Sequence, residues 1–244
     1  MSDITIVSGN KGGSGKSMAA AVRVDRLLAM DRPVALLEGD EGQPDLALRY
    51  IHCPGVTLGA VNLNRAGDSE AAVAAFGEWL EQQRTDVVVN LPAGAGDTLD
   101  ALAEVIVRVC SDLGHAVRVL YALGMHRPAS DDLRKSLASG LMGAVPPEQR
   151  LVLFPEFLGK VASFDWYRSL DRDTYLAAGG QETTMPALRP EALRDKVLAL
   201  PGPFSGMLTP EGGLTLTERV MFQRWLARAH AALETAAVNT AGTP

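Results

Sequence analysis

The chemistry of this chain concentrates in one glycine-rich run, Ser8-Gly9-Asn10-Lys11-Gly12-Gly13-Ser14-Gly15-Lys16-Ser17. Gly12, Gly13 and Gly15 carry no Cβ, so the backbone there can curl and aim successive N–H groups at one anion. In such a loop a lysine at position 16 reaches the β- and γ-phosphates of a nucleotide, and the hydroxyl of Ser17 ligates Mg²⁺. The loop needs a strand before it and a helix after it, because the helix N-terminus adds unpaired N–H groups and the positive end of its dipole. Ile4–Ser8 reads as that strand and Ser17–Met30 as that helix.

Two further clusters end apolar runs. Val34–Leu37 leads into the acidic turn Glu38-Gly39-Asp40-Glu41-Gly42-Gln43-Pro44-Asp45, and Asp86–Leu91 leads into Pro92-Ala93-Gly94. Continuous apolar runs of this length read as strands buried on both faces. Ala116–Leu123 and Leu151–Phe154 are further strands, and helical spacing marks Glu70–Gln83, Leu99–Cys110 and Ser130–Leu141. This alternation predicts an α/β fold: a doubly wound, mostly parallel sheet flanked by helices. Pro and Gly punctuate Glu156–Gly213, where irregular structure is expected apart from a helix over Glu191–Leu200 and a short edge strand near Thr183–Met185. Leu216–Glu234 is the closing helix. Residues 1–235 then form a single nucleotide-binding domain, with 236–244 as a flexible tail.

The loop departs from the general phosphate-binding pattern, since Asn10 fills the place of its first glycine and Lys11 adds a second lysine. What remains, K-G-G-x-G-K-[ST], resembles the deviant Walker A box of the ParA/MinD superfamily of ATPases. The resemblance is close over residues 4–45, partial over 86–96, and architectural beyond. It implies ATP or ADP with Mg²⁺ on Lys11, Gly12, Gly13, Ser14, Gly15, Lys16, Ser17 and Met18. It also implies that Lys11 crosses a sandwich dimer to touch the partner's phosphates, neutralising transition-state charge as an arginine finger does. Asp40 takes the family's water-positioning role, and Glu38 stands where a first Asp is usual. Asp86-Val87-Val88-Val89-Asn90-Leu91-Pro92-Ala93-Gly94 resembles the third box, with Asn90 in place of the Walker B aspartate. Asn keeps an oxygen acceptor but no charge, so weaker Mg²⁺ binding and slow hydrolysis are expected. Glu38 compensates if two adjacent parallel strands deliver both side chains to one metal–water cluster. The implied catalytic set is Lys11, Lys16 and Asp40, and the metal set Ser17, Glu38, Asp40 and Asn90. Asp45 reads better as a cap on the next helix.

Composition limits the remaining readings. With 23 Lys+Arg against 29 Asp+Glu in 244 residues, the net charge of −6 argues against a globally basic nucleic-acid surface. The sequence lacks both an apolar run of the roughly 18 residues that span a bilayer and a secretory signal, so a soluble, unprocessed, cytoplasmic protein is expected. Cys53 and Cys110 invite comparison with the nitrogenase iron protein, but neither lies in a glycine-rich cluster loop, so no iron–sulfur cluster is expected. His115, His126 and His230 lack metal spacing. Phe164 and Trp166, with Tyr167 and Arg168, suit either adenine stacking or a partner surface. In the closing helix, Val220, Met221, Trp225, Ala229, Ala232 and Leu233 form a broad stripe that fits a membrane-targeting helix or one docked on the sheet. Its alanine content and the polar tail favour docking.

The function implied is an ATP-binding switch that dimerises on ATP and is reset by hydrolysis to ADP and phosphate. Its job comes from a partner protein, with DNA touched directly or through that partner: plasmid partition, conjugative-transfer accessory work or positioning of a complex. The short chain without an N-terminal DNA-reading domain, together with Asn90, looks like plasmid-stability and conjugation-accessory members. Two other readings use the same loop. An ATP-dependent carboxylate ligase resembling dethiobiotin synthetase would not need Lys11 in trans, and a hydrolysis-deficient module would bind nucleotide only to hold a partner.

Overall fold

The computed structural model describes residues 2–9, 12–39, 44–63, 68–92 and 94–234. The apolar runs become strands β1 (Ser2–Ser8), β2 (Val34–Glu38), β3 (Val56–Ala60), β4 (Asp86–Asn90), β5 (His115–Ala122), β6 (Arg150–Pro155) and β7 (Gln181–Met185). They form one sheet in the order β3-β2-β4-β1-β5-β6-β7, and every neighbouring pair is parallel. Between and after them run helices α1 (Lys16–Leu28), α2 (Asp45–Tyr50), α3 (Ser69–Leu80), α4 (Ala95–Asp100), α5 (Ala103–Asp112), α6 (Arg127–Ser139), α7 (Leu141–Ala144), α8 (Leu170–Ala177), α9 (Glu191–Ala199) and α10 (Leu216–Glu234).

Side chains alternate across the pleat, so each buried strand feeds two cores. Ile4, Ile6, Val87, Val89 and Val119 pack with residues of α3 to α8, whereas Val7, Leu36, Val88, Leu120 and Leu151 pack with α1, α2, α9 and α10. That is the expected doubly wound α/β arrangement, and it places the C-terminal ends of β1, β2 and β4 side by side.

Some elements differ from the sequence expectation. The helix expected over Leu99–Cys110 is two, because the backbone leaves helical geometry at Leu102 (φ −123°, ψ 24°). The apolar spacing runs through the break because Leu99, Ala103 and Ile106 enter one core. Asp100, at the end of α4, turns its carboxylate to the α6–α7 junction and accepts from the Leu141 N–H at 2.7 Å and the Ser136 hydroxyl at 3.0 Å. The half-exposed edge strand β3 and the short α2 are too brief to show a period. Residues 156–213 are more regular than expected: they hold α8 as well as α9, and β7 begins at Gln181 rather than Thr183. Phe164 and Trp166 are fully buried core residues, not adenine-stacking or partner-facing ones, and the Trp166 indole donates to Glu182 at 2.9 Å.

The closing helix spans the expected residues and docks on the sheet. Its buried face is Phe222, Trp225, Leu226, Ala229, Ala232 and Leu233, while Val220 and Met221 are 60% and 42% exposed. The buried stripe is therefore rotated from the expected one, because Phe222 stacks on Trp225 and both pack edge-on against Phe204. Beside this cluster Asp25 of α1 is fully buried, accepts from the Ser205 N–H at 2.7 Å and pairs with His230 at 2.9 Å, fastening α1 to α10. Among the described residues no helix is long and apolar enough to cross a membrane.

Candidate functional site

The loop between β1 and α1 begins with a backbone that only glycine can follow. Gly9 has φ +139°, and a Cβ there would lie 2.5 Å from the Ala122 carbonyl oxygen at the end of β5. Gly13 and Gly15 also have positive φ, +73° and +87°, and Gly15 is the residue that turns the chain into α1. Among the described residues no side chain caps α1, and its first turn holds no acid. Its N-terminal N–H groups and dipole suit an anion.

Lys16, on the first turn, is only 7% exposed. Burial pulls its ammonium down from the ordinary 10.5 to about 8. Ser14 is buried with an Oγ that has no hydrogen-bond partner among the described residues, whereas Ser17 is exposed to the cavity in front of the loop. Gly12 and Gly13 are exposed there too.

Across from the loop stand Glu38 and Asn90. They are register partners at the ends of β2 and β4 and are 1% and 5% exposed. The Asn90 Nδ2 donates to Glu38 Oε1 at 2.9 Å and approaches the Ser17 hydroxyl at 3.4 Å. Its Oδ1 is buried without a hydrogen-bond partner among the described residues. The structure thus brings together Lys16, Ser17, Glu38 and Asn90, with β2 lying against β4. Lys11 and Asp40 lie outside the described residues. Asp40 directly follows Gly39, whose N–H donates to the Asn90 carbonyl at 3.0 Å and whose position would bring a Cβ within 2.9 Å of the Pro92 ring. Asp45 does not cap α2: Pro44 precedes the helix and Asp45 is its first residue, lining the cavity mouth.

The cavity has a volume of about 480 Å³, within the range of small-molecule sites. One half is the polar loop and the Glu38–Asn90 pair. The other half is apolar, with Phe157, Met185, Pro186, Leu188 and Trp225 around the ends of β6 and β7 and Arg194 of α9 at its side. Phe157 leans over the loop, so that a Cβ on Gly15 would meet its ring at 3.1 Å. The Trp225 indole donates to the Pro186 carbonyl at 2.9 Å, and the Glu156 carboxylate accepts from the Ala187 N–H at 3.1 Å. These two bonds fix the turn after β7. None of these residues was singled out for this role from sequence, since they meet only in three dimensions. The prolines Pro155 and Pro186 at the strand ends were the available signal.

The oxygen donors at the polar end, a hydroxyl, an amide oxygen and a carboxylate, are those a hard divalent cation takes directly or through water. Among the described residues no group of three or more His, Cys, Asp or Glu could cage a metal alone. Cys110 is buried within α5, where burial pushes its thiol up to about 12.

No protein-family model matches the chain. Protein MobD of Acidithiobacillus ferrooxidans is 25% identical over 184 residues, covering 75% of this chain and 77% of MobD. Among solved structures, an McdA–ATP complex from Cyanothece superposes with a TM-score of 0.52 at 13% identity, covering all of this chain and 99% of that one. MinD of Pyrococcus horikoshii, complexed with Mg-ADP, gives 0.50 at 14% identity, with 98% and 97% covered. The chain has the P-loop fold of these McdA and MinD structures. The wider P-loop likeness extends to chloroplast FtsY of Physcomitrella patens, with a TM-score of 0.50 at 12% identity and 77% of this chain covered. The chain spans 59% of the length of that FtsY but nearly the full length of McdA and MinD. Within this fold, the cavity lies at the C-terminal ends of the parallel strands, where open α/β sheets bind ligands.

Proposed function

We propose that the chain is a ParA/MinD-like, ATP-dependent switch: one nucleotide-binding domain over residues 1–235 that dimerises on ATP and is reset by slow hydrolysis. The observation that carries this reading is the juxtaposition across one cavity of the uncapped N-terminus of α1, the buried Lys16 and the Glu38–Asn90 pair. The N–H groups of Gly12–Ser17 would wrap the phosphates and Lys16 would hold their outer oxygens. Phe157, Pro186, Leu188 and Trp225 supply an apolar wall for the base. Ser17, Glu38 and Asn90 would hold Mg²⁺, which supplies neutralisation of charge on the transferred phosphoryl group. An Asn90 amide oxygen without a partner among the described residues and a Ser17 hydroxyl exposed to the same cavity support that fit. Asp40 orients the attacking water and Lys11 meets the phosphates of a second copy; both assignments rest on motif position.

The switch would serve a partner rather than make a small-molecule product. Likeness to Protein MobD supports an accessory role in plasmid mobilisation over partition, with DNA reached directly or through that partner. The test is the molar mass in solution with Mg²⁺ and ADP, then with Mg²⁺ and a non-hydrolysable ATP analogue, for wild type and Lys11→Ala. Doubling with the ATP analogue alone, lost in Lys11→Ala, is the expected result. A mass indifferent to nucleotide would sink the dimer reading and bring the ligase or passive-module readings forward.

A further inference from the structure

The pairing of Glu38 with Asn90 says more than that two polar residues line one cavity. Both sit at the last position of a central strand, in direct register, and are almost wholly removed from solvent. In such surroundings a carboxylate needs donors, and the Asn90 amide provides one at 2.9 Å. That bond fixes which way the amide faces. With Nδ2 committed to Glu38, Oδ1 is the atom left over, and it is the atom without a partner among the described residues. An aspartate at position 90 could not donate at all, and would set two carboxylates side by side where one carboxylate and one amide now interlock.

We propose that Glu38 and Asn90 are a transposed acid–amide pair: of the two register partners, the carboxylate that faces the hydrated cation is carried on β2, and Asn90 is the positioning residue that orients it. This rests on the nucleotide reading above. From sequence, Asn90 looks like a loss that an aspartate would repair. The geometry predicts the opposite, because the pair works as a unit with one negative charge, and which strand carries the charge is interchangeable.

The test is a double-mutant cycle with Asn90→Asp, Glu38→Gln and Glu38→Gln/Asn90→Asp. Three readouts are taken: thermal unfolding without nucleotide, ADP affinity by a fluorescent analogue, and Mn²⁺ affinity of the ADP complex by electron paramagnetic resonance. Asn90→Asp should lower Tm by about 5 °C, for a lost charged hydrogen bond plus like-charge repulsion, and should leave Mn²⁺ no more tightly bound. Glu38→Gln should weaken Mn²⁺ at least about tenfold, as loss of the charged donor at the strand ends requires. The transposed double variant should recover both Tm and Mn²⁺ affinity relative to Asn90→Asp and Glu38→Gln respectively. Tighter Mn²⁺ binding by Asn90→Asp at unchanged Tm would overturn the proposal, as would strictly additive effects. Recovery of Tm without recovery of Mn²⁺ affinity would reduce the pair to a structural bond and also overturn it. If the wild type binds no ADP, the nucleotide reading fails and the cation part falls with it, while the Tm cycle still decides whether the two side chains are coupled.

Discussion

Lys16 links stability to function in a way that can be measured without substrate. Its ammonium is 7% exposed, and burial alone depresses it from 10.5 to about 8. At about 1.4 kcal/mol per pH unit, keeping that charge buried costs about 3 kcal/mol at neutral pH. Replacing it by a side chain of similar length without the charge, Lys16→Met, removes the cost. For a domain of this size that corresponds to a rise of about 5–10 °C in the Tm of the nucleotide-free protein. The pH dependence has a definite sign. Between pH 8 and 10.5 the unfolded chain holds a proton on Lys16 that the folded chain has released, so wild-type stability gains in this window and the cost present below pH 8 is relieved. Lys16→Met has no such term, and its advantage should shrink as pH rises through the window. Nucleotide affinity should meanwhile be lost, because the phosphate oxygens lose the cation that makes them welcome in a buried site. Differential scanning fluorimetry from pH 7 to 10, with a fluorescent ADP analogue for binding, measures both. A variant no more stable than wild type at pH 7, or one whose advantage grows with pH, would refute the reasoning.

Two further outcomes follow from the loop and the cavity wall. Gly9→Ala places a methyl 2.5 Å from the Ala122 carbonyl oxygen at φ +139°, so urea unfolding should show a loss of at least about 2 kcal/mol, with nucleotide binding impaired in the folded fraction. Phe157→Ala removes a ring that is 44% exposed in the free protein, so it should weaken ADP binding about fivefold while moving Tm by little, a split that titration and fluorimetry read separately.

Much of the site was legible because it is local. The glycines, Lys16 and Ser17 occupy one short run, and their placement at the start of α1 follows from backbone freedom and helix-end geometry that need no distant neighbour. The strands were legible for a similar reason: a run such as Asp86–Leu91 is apolar throughout because both of its faces are covered. Where segments were misjudged, the pattern was too short or a distant contact decided it. Leu102 interrupts a helix whose apolar spacing continues, with Asp100 committed to the α6–α7 junction. Phe164 and Trp166 look like candidates for recognition in an irregular stretch, yet the stretch folds back over the sheet and buries them.

The sequence by itself determined the α/β class, the glycine-rich run with its two lysines, and Asn90 rather than an acid near the end of the Asp86–Leu91 run. Adjacency on the page could not say what that asparagine does. Only the tertiary structure decided that β2 lies against β4, so that Glu38 and Asn90, 52 positions apart, share a hydrogen bond. It also assembled the apolar half of the cavity from the ends of β6 and β7 and from α10, and turned α10 so that Phe222 and Leu226 rather than Val220 and Met221 face inward. The physical reason is the same in each case. Backbone conformation and burial period are written in neighbouring residues, whereas strand order and helix rotation are set by which surfaces fill space best against each other.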